Sequence, residues 1–447
     1  MLHQNIAIPT ATRADVIAAF SYALDLTEGQ PAGHCIRACW IGMQVGRELG
    51  LSPAELGDLY YTLLLKDLGC SSNAARICEL YEADDRAFKQ GYKTVGTSLA
   101  ATLHFVFSKT ARGRPLGRRV SAIGNILRNG DAIAQEMIVS RCTRGADIAR
   151  TLRFSNAVCD GIYHLDEHWN GSGRPGRLEA GAIPLFSRIA LLAQVVDVFH
   201  GHAGASAALE EAQRRSGIWF DPELVRALES AARHHSFWTA LASPTIETRV
   251  VRLAPAEDGD RLDDDYLDAI ANAFGQVIDA KSPFTAGHSR RVGDLSARMA
   301  QGLGLSPGRA RWLRRAAVLH DVGKLGVSSA ILEKPGELDE REWAEMRTHT
   351  THTRAILGRI GALADLADVA AAHHERLDGT GYPLALPAAA IGRETRIITT
   401  CDIYDALVSD RPYRPALPVE EALRTMEVAS GTAIDPDCLA ILKASLA

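Results

Sequence analysis

The sequence predicts an all-α chain made of two tandem helical bundle domains. Three observations carry this expectation. Apolar residues recur at helical spacing through most of the 447 residues. Strand-like alternation is scarce, and one long segment occurs twice. The first copy reads PAGHCIRACWIGMQVGRELGLSPAELGDLYYTLLLKDLG from Pro31, and the second reads TAGHSRRVGDLSARMAQGLGLSPGRARWLRRAAVLHDVG from Thr285. His34 aligns with His288 and Lys66-Asp67 with His320-Asp321, at an interval of 32 residues in both copies.

In chain order, the first domain is expected over 14–240. Its Asn170-Gly171-Ser172-Gly173-Arg174-Pro175 answers Asp378-Gly379-Thr380-Gly381-Tyr382-Pro383, and its Phe220-Asp221-Pro222 answers Ile434-Asp435-Pro436. The offset is 254 positions at His34 and 208 at Asn170, so the first copy carries 46 additional residues, between Ile77 and Arg141. Within them RPLGRR at 114–119, just after Gly113, reads as a solvated surface loop. The acidic stretch 254–263, with Pro and Gly, reads as a linker. The second domain is expected over 264–447. Leu267, Ile270, Phe274 and Ile278 form one amphipathic stripe, and His288, Val292, Leu295 and Met299 a second. Within 396–407, Ile397, Ile398, Cys401, Tyr404 and Ala406 suit a mostly buried helix. Bundles of this kind build metal sites from side chains on facing helices.

Composition narrows the function classes. A 47% apolar and 23% charged content is that of a soluble globular protein. A net charge of -5 lacks the basic excess of a chain that binds long nucleic acid. An anionic ligand is still compatible, because Arg and Lys can be focused in a cleft. The eight cysteines contain no CxxC pair and read as reduced thiols. The N-terminal segment has no basic region followed by an apolar run, and no stretch approaches the ~18 apolar residues that span a bilayer. A cytoplasmic protein without membrane contact is the expectation.

The chemistry-bearing residues gather in the second repeat: His288, His320-Asp321, His349, His373-His374 and Asp402. Singly, each has a bland reading. A histidine on an apolar stripe is commonly a hydrogen-bonded core residue, an HD dipeptide is common by chance, and paired histidines also end helices. Asp402 is less bland, because a carboxylate inside an apolar helix needs a partner. Together they form a donor set of imidazoles and carboxylates that suits Fe, Mn or Zn. The lack of interspersed cysteine disfavours a structural zinc. Seven donors exceed what one ion with an open position needs. They suit two ions about 3.5–4 Å apart, bridged by a carboxylate, a pair that clamps the attacking and leaving oxygens of phosphoryl transfer.

The strings HDVGKLG, KPGELDEREWAEMRTH, HHERLDGTGYP and CDIYDALVSDRPYR, in this order, resemble the HD-GYP subgroup of the HD superfamily. These are bacterial phosphodiesterases of cyclic-dinucleotide signalling, and the resemblance covers nearly the whole second repeat. It implies two tandem HD-type bundles, the second of them catalytic. His288, His320, Asp321 and Asp402 match the ligands of one metal. Asp321 then bridges to a second metal held by His349, His373 and His374. Iron or manganese is the implied metal, and a metal-bridging hydroxide the implied nucleophile. Lys324 matches the family lysine that stabilises charge on the phosphodiester. Tyr382, Arg411 and Arg414 match residues that hold the dinucleotide, the arginines through bidentate phosphate contacts; their bland reading is a solvated loop. Two positions depart from the pattern. Phe284 stands where some members have the carboxylate of a third metal, and the HPxxG pattern reads His349-Thr350-Thr351-His352-Thr353. His352 lies one turn from His349, and register favours His349 as the ligand.

The first repeat keeps His34 and Asp67 but has Lys66, Cys70, Arg141, Leu165, Asp166 and Gln194 at the other motif positions. A non-catalytic, regulatory domain is expected, with His164, Asp166 and His168 as the weaker alternative for a residual site. His200, His202, His234 and His235 match no motif position. For the whole chain the resemblance implies hydrolysis of cyclic di-GMP to pGpG and on to GMP. The alternatives are 3′,3′-cyclic GMP-AMP as substrate, a general HD phosphohydrolase, a diiron oxygenase and, without catalysis, a signalling scaffold. Homodimerisation and regulatory contact between the repeats fit the tandem arrangement.

Overall fold

The computed structural model describes residues 12–93, 95, 99–112, 115–255 and 262–446. Among these residues there are helices and isolated bridges but no strand. Among the described residues no helix is long and apolar enough to cross a membrane. All eight cysteines are free thiols. The chain divides into two compact units, Arg13–Asp260 and Arg261–Ala447.

In the second unit the helix Asp264–Asp279 leads through a short turn to His288–Gly302. The latter packs against Pro307–Leu319 and Arg393–Val408. Val292, Leu295 and Met299 are buried as the stripe requires, each stabilising the bundle by roughly 1.5–3 kcal/mol. The stripe on Asp264–Asp279 is displaced at its start, because Tyr266 is buried and Leu267 only half-buried. On Arg393–Val408, Ile397, Ile398, Cys401 and Tyr404 are buried as expected. Ala406 is half-exposed and Asp405 is buried instead, a difference the site explains.

Local signals set the helix ends. Ser306 accepts a hydrogen bond from the Arg309 N–H with Pro307 in the first turn, and Ser52 does the same for Glu55 with Pro53. Gly287 and Gly33 start the two motif helices with φ of 72° and 85°, a backbone region that favours glycine. Gly323 has a different task. A Cβ there would sit 1.9 Å from the His349 carbonyl oxygen, so only glycine lets the HD turn touch the helix Glu340–Leu357.

The first unit repeats the arrangement. His34–Glu48 packs on Pro53–Leu65 and Leu185–Arg214. It extends past residue 240, since Ile246–Val251 packs against Arg13–Thr27 and His34–Glu48. The additional residues form a subdomain with its own cluster of Ile77, Phe88 and Phe105, joined by Tyr81, Val95 and Met137. The expected loop at 114–119 is wrong from Leu116 onward, where a 36-residue helix, Leu116–Thr151, begins. Pro115 stands just before the first turn, where proline is compatible with a helix start. Gly113 and Arg114 lie outside the described residues, as does most of the expected linker.

Candidate metal centre

Each expected ligand sits where a helix starts, stops or turns inward. His288 opens its helix, His320 caps Pro307–Leu319, and Asp321 follows it. His349 lies inside Glu340–Leu357, His373 and His374 follow Ala367–Ala371, and Asp402 lies inside Arg393–Val408. Donor atoms of His288, His320 and Asp321 come within 4.8 Å of one another, as do those of His349, His373 and His374 and those of His320, His373 and Asp402. The two expected ligand clusters are therefore contiguous.

Asp321 faces both. Its Oδ2 lies 3.3 Å from His320 Nε2 and 3.7 Å from His288 Nε2. Its Oδ1 lies 3.6 Å from both His349 Nε2 and His373 Nε2. Asp402 Oδ1 is 3.3 Å from His288 Nε2 and 3.7 Å from His320 Nε2. Lys324 donates from Nζ to Asp321 Oδ2 at 2.5 Å.

The imidazoles are held by their other nitrogens. Nδ1 of His320, His349 and His373 each lies 2.6 Å from the carbonyl oxygen three residues earlier. Nδ1 of His288 lies 2.7 Å from Asp405 Oδ2. Each contact places a proton on Nδ1 and turns Nε2 toward the cluster, the tethering found in metal-binding histidines. His288 Nε2, His320 Nε2 and Asp321 Oδ1 are buried without a hydrogen-bond partner. Buried polar atoms left open in this way carry a desolvation cost that a bound cation would remove. The residues fit two divalent ions.

The electrostatics divide the imidazoles. Burial alone would lower His320, but Asp321 and Asp402 beside it push it up to about 9. Burial also opposes protonation of His288, and the carboxylates of Asp321, Asp402 and Asp405 again outweigh it. Burial pushes His349 down to about 3 and His374 to about 4, so both are neutral at pH 7 and ready to ligate. The carboxylates around His288 and His320 thus favour positive charge at this end of the site, and metal uptake would compete with protons there.

The substrate residues expected from the motifs separate here. Tyr382 stacks on His374 at 4.7 Å between ring centroids, with the Arg347 guanidinium 5.5 Å from its ring. Its loop is anchored by buried Glu375, which accepts the N–H groups of Leu384 and Leu386 at 2.6 and 2.8 Å. Arg414 turns away from the expected phosphate contact. It donates to the carbonyls of Ala406 and Leu407, in the last turn of Arg393–Val408, and to that of Pro415 beyond it. Carbonyls in the last turn lack helical partners, and its planar fork meets the first two. The guanidinium of Arg411 has no such commitment, while its backbone closes the turn with Arg414 at 2.8 Å. Phe284 brings no donor atom. His352 lies against Gly326, outside the ligand clusters.

Sequence reasoning missed the residues that orient the ligands. Asp405 takes His288 on Oδ2 and the Arg291 fork on both oxygens, at 2.6 and 2.9 Å. A second aspartate three residues after Asp402 was the available signal. Thr353, the departure from the glycine pattern, donates to the His320 carbonyl at 2.9 Å and accepts from the Gly323 N–H at 3.0 Å. Its hydroxyl thus ties the HD turn to the neighbouring helix. Asp405→Ala is expected to weaken metal affinity about 10–100-fold, the usual effect of losing such a partner. Metal titration with a competing chelator measures it, and unchanged affinity would remove Asp405 from that role.

A family model described as HD domain matches residues 121–224 and 272–438, together more than half of the chain. The 3′3′-cGAMP-specific phosphodiesterase 3 of Vibrio cholerae is 53% identical over 442 residues, covering 99% of this chain and 96% of that protein. A cyclic di-GMP phosphodiesterase of Thermotoga maritima is 38% identical over 176 residues, 39% of this chain and 48% of that protein. A crystal structure described as a cyclic GMP-AMP specific phosphodiesterase of V. cholerae (V-cGAP3) covers 97% of each chain at 48% identity, with a TM-score of 0.66.

Proposed function

The chain belongs to the HD-GYP group of the HD domain family and is a metal-dependent cyclic-dinucleotide phosphodiesterase, and from that premise we propose that its preferred substrate is 3′,3′-cyclic GMP-AMP. The observation that carries this reading is the extent of likeness. The relative matched across both repeats is named for 3′3′-cGAMP, whereas the Thermotoga enzyme named for cyclic di-GMP matches 39% of the chain. The alternative therefore displaces cyclic di-GMP, which the motifs had suggested as the main substrate.

Two divalent ions, iron or manganese, would be held by His288, His320, Asp321 and Asp402 and by Asp321, His349, His373 and His374. When bound they supply Lewis acidity and lower the pKa of the attacking water. The protein's own groups do the rest. Asp321 presents one oxygen to each cluster and so keeps both halves of the site in one geometry. The Lys324 ammonium, 2.5 Å from that carboxylate, is placed to donate to a phosphodiester oxygen as charge builds on it. The Tyr382 ring, resting on His374, offers a flat apolar surface beside the centre for a base or ribose. Arg411 is the guanidinium left open to a phosphate. The first repeat acts as a non-catalytic regulatory domain in this reading, and the functional particle is a homodimer.

The test is hydrolysis by the full chain, prepared without oxygen and loaded with Fe(II) or Mn(II). A kcat/KM for 3′,3′-cyclic GMP-AMP at least about tenfold above that for cyclic di-GMP, a difference of ~1.4 kcal/mol, is the expected result. Equal rates, or the reverse order, would return the assignment to cyclic di-GMP.

A further inference from the structure

The first repeat keeps the supports of the metal centre while losing its ligands. His34 Nδ1 lies 2.7 Å from Asp197, and Arg37 forks onto the same carboxylate at 2.7 and 3.2 Å, as His288, Arg291 and Asp405 do. Glu167 accepts the N–H groups of Gly176 and Leu178, as Glu375 accepts those of Leu384 and Leu386. A Cβ on Gly69 would lie 1.9 Å from the Arg141 carbonyl oxygen, the relation of Gly323 to His349. The scaffold is therefore the same and the ligand sphere is what changed.

Cationic side chains fill that sphere. Lys66, at the position of His320, contacts the Asp67 carboxylate through its ammonium. Arg141, at the position of His349, pairs with Asp166, at the position of His374. Glu28, 3% exposed, faces Lys93 at 2.9 Å and Lys89 at 3.3 Å. Lys89 also donates to the Cys70 carbonyl at 2.8 Å. Lys89 and Lys93 lie at the end of the helix Asp85–Tyr92, within the additional residues that the second repeat lacks.

One donor group in this region has the reach for an ion: Glu28, Asp67 and Cys70 offer atoms within 4.8 Å of one another. Its surroundings oppose a dication. Both carboxylates already face ammonium groups, and an added ion would meet Lys66, Lys89, Lys93 and Arg141 at close range. Burial pushes the Cys70 thiol well up, away from the thiolate that metals bind. A buried carboxylate needs a counter-charge, and here lysine and arginine provide it without any ion.

We infer that Lys66 and Arg141, together with Lys89 and Lys93 delivered by the additional segment, replace the metal ions of this fold in the first repeat, which holds no metal and keeps its structure without one. The inference goes beyond the substrate assignment and is independent of it. The experiment uses the full chain carrying Asp321→Ala and His349→Ala, which disarms the second repeat. After incubation with Mn(II), Fe(II) or Zn(II) and desalting, metal is counted by mass spectrometry, with below about 0.1 ion per chain expected. Amide hydrogen exchange of 13–255 in the unsubstituted chain is expected to be unchanged by EDTA. Lys93→Met, by removing one of the two ammonium groups that face Glu28, is expected to raise exchange around 53–70 about tenfold or more. An ion that is retained and then lost on adding Asp67→Ala would overturn the inference, as would EDTA-dependent exchange in the first unit. Failure of the substrate assignment would appear in the hydrolysis assay and leave these readouts unmoved.

Discussion

Asp321→Ala is expected to lower cyclic-dinucleotide hydrolysis by at least about 10⁴-fold, equivalent to ~5.4 kcal/mol of barrier. The size follows from the number of relations that meet on this carboxylate. One oxygen faces His288, His320 and Lys324, and the other faces His349 and His373. Alanine removes the carboxylate that faces both clusters and leaves Lys324 without its anion. Groups that act as a unit do not lose their effects additively, so a second ligand substitution on this background should add little. The variant should also lose metal, since five imidazoles with Asp402 as the remaining carboxylate are a poor site for two dications. Metal content and kcat, measured on the same preparation, check this. A variant that kept two ions and more than about a hundredth of the activity would mean that the ions are bridged by something else.

Lys324→Met is expected to lower kcat about 10²–10³-fold, the usual effect of removing one donor to developing charge, while metal content stays near that of the unsubstituted chain. The Lys324 side chain is 21% exposed and reaches the centre through one contact, to Asp321 Oδ2. Methionine keeps the length of the stem and its packing. The cost should fall on kcat more than on KM, because the charge Lys324 meets is larger in the transition state than in the ground state. An equal rise in KM at constant kcat would recast the lysine as a binding residue. A parallel loss of metal would make it a support for Asp321 instead.

The two variants divide the site as the sequence could not. The motifs named both residues and gathered the donors in the second repeat. Helical periodicity also found the stripe of Val292, Leu295 and Met299, since burial on one face is written into a 3.6-residue repeat. The stripe that began at Tyr266 rather than Leu267 shows how local signals slip at a helix start. The proline ahead of Leu116 shows how one residue type marks both a break and a beginning. Arg414 was legible as an arginine in the right string, but not as the clasp of a helix end. Its three acceptors are carbonyls, and carbonyls carry no sequence signature.

By itself the sequence determined the duplication, the all-helical character, the loss of ligands in the first copy and the donor set of the second. These are properties of composition, spacing and order along the chain. The tertiary structure alone decided that Asp321 divides its oxygens between two clusters and that Asp405 orients His288 from 117 residues away. It also decided that Thr353 braces the HD turn, and that the additional segment carries Lys89 and Lys93 to a buried carboxylate of the first repeat. Each depends on which helix faces which across a packed core. That pairing is set by the summed burial of many side chains, and no local stretch of sequence encodes it.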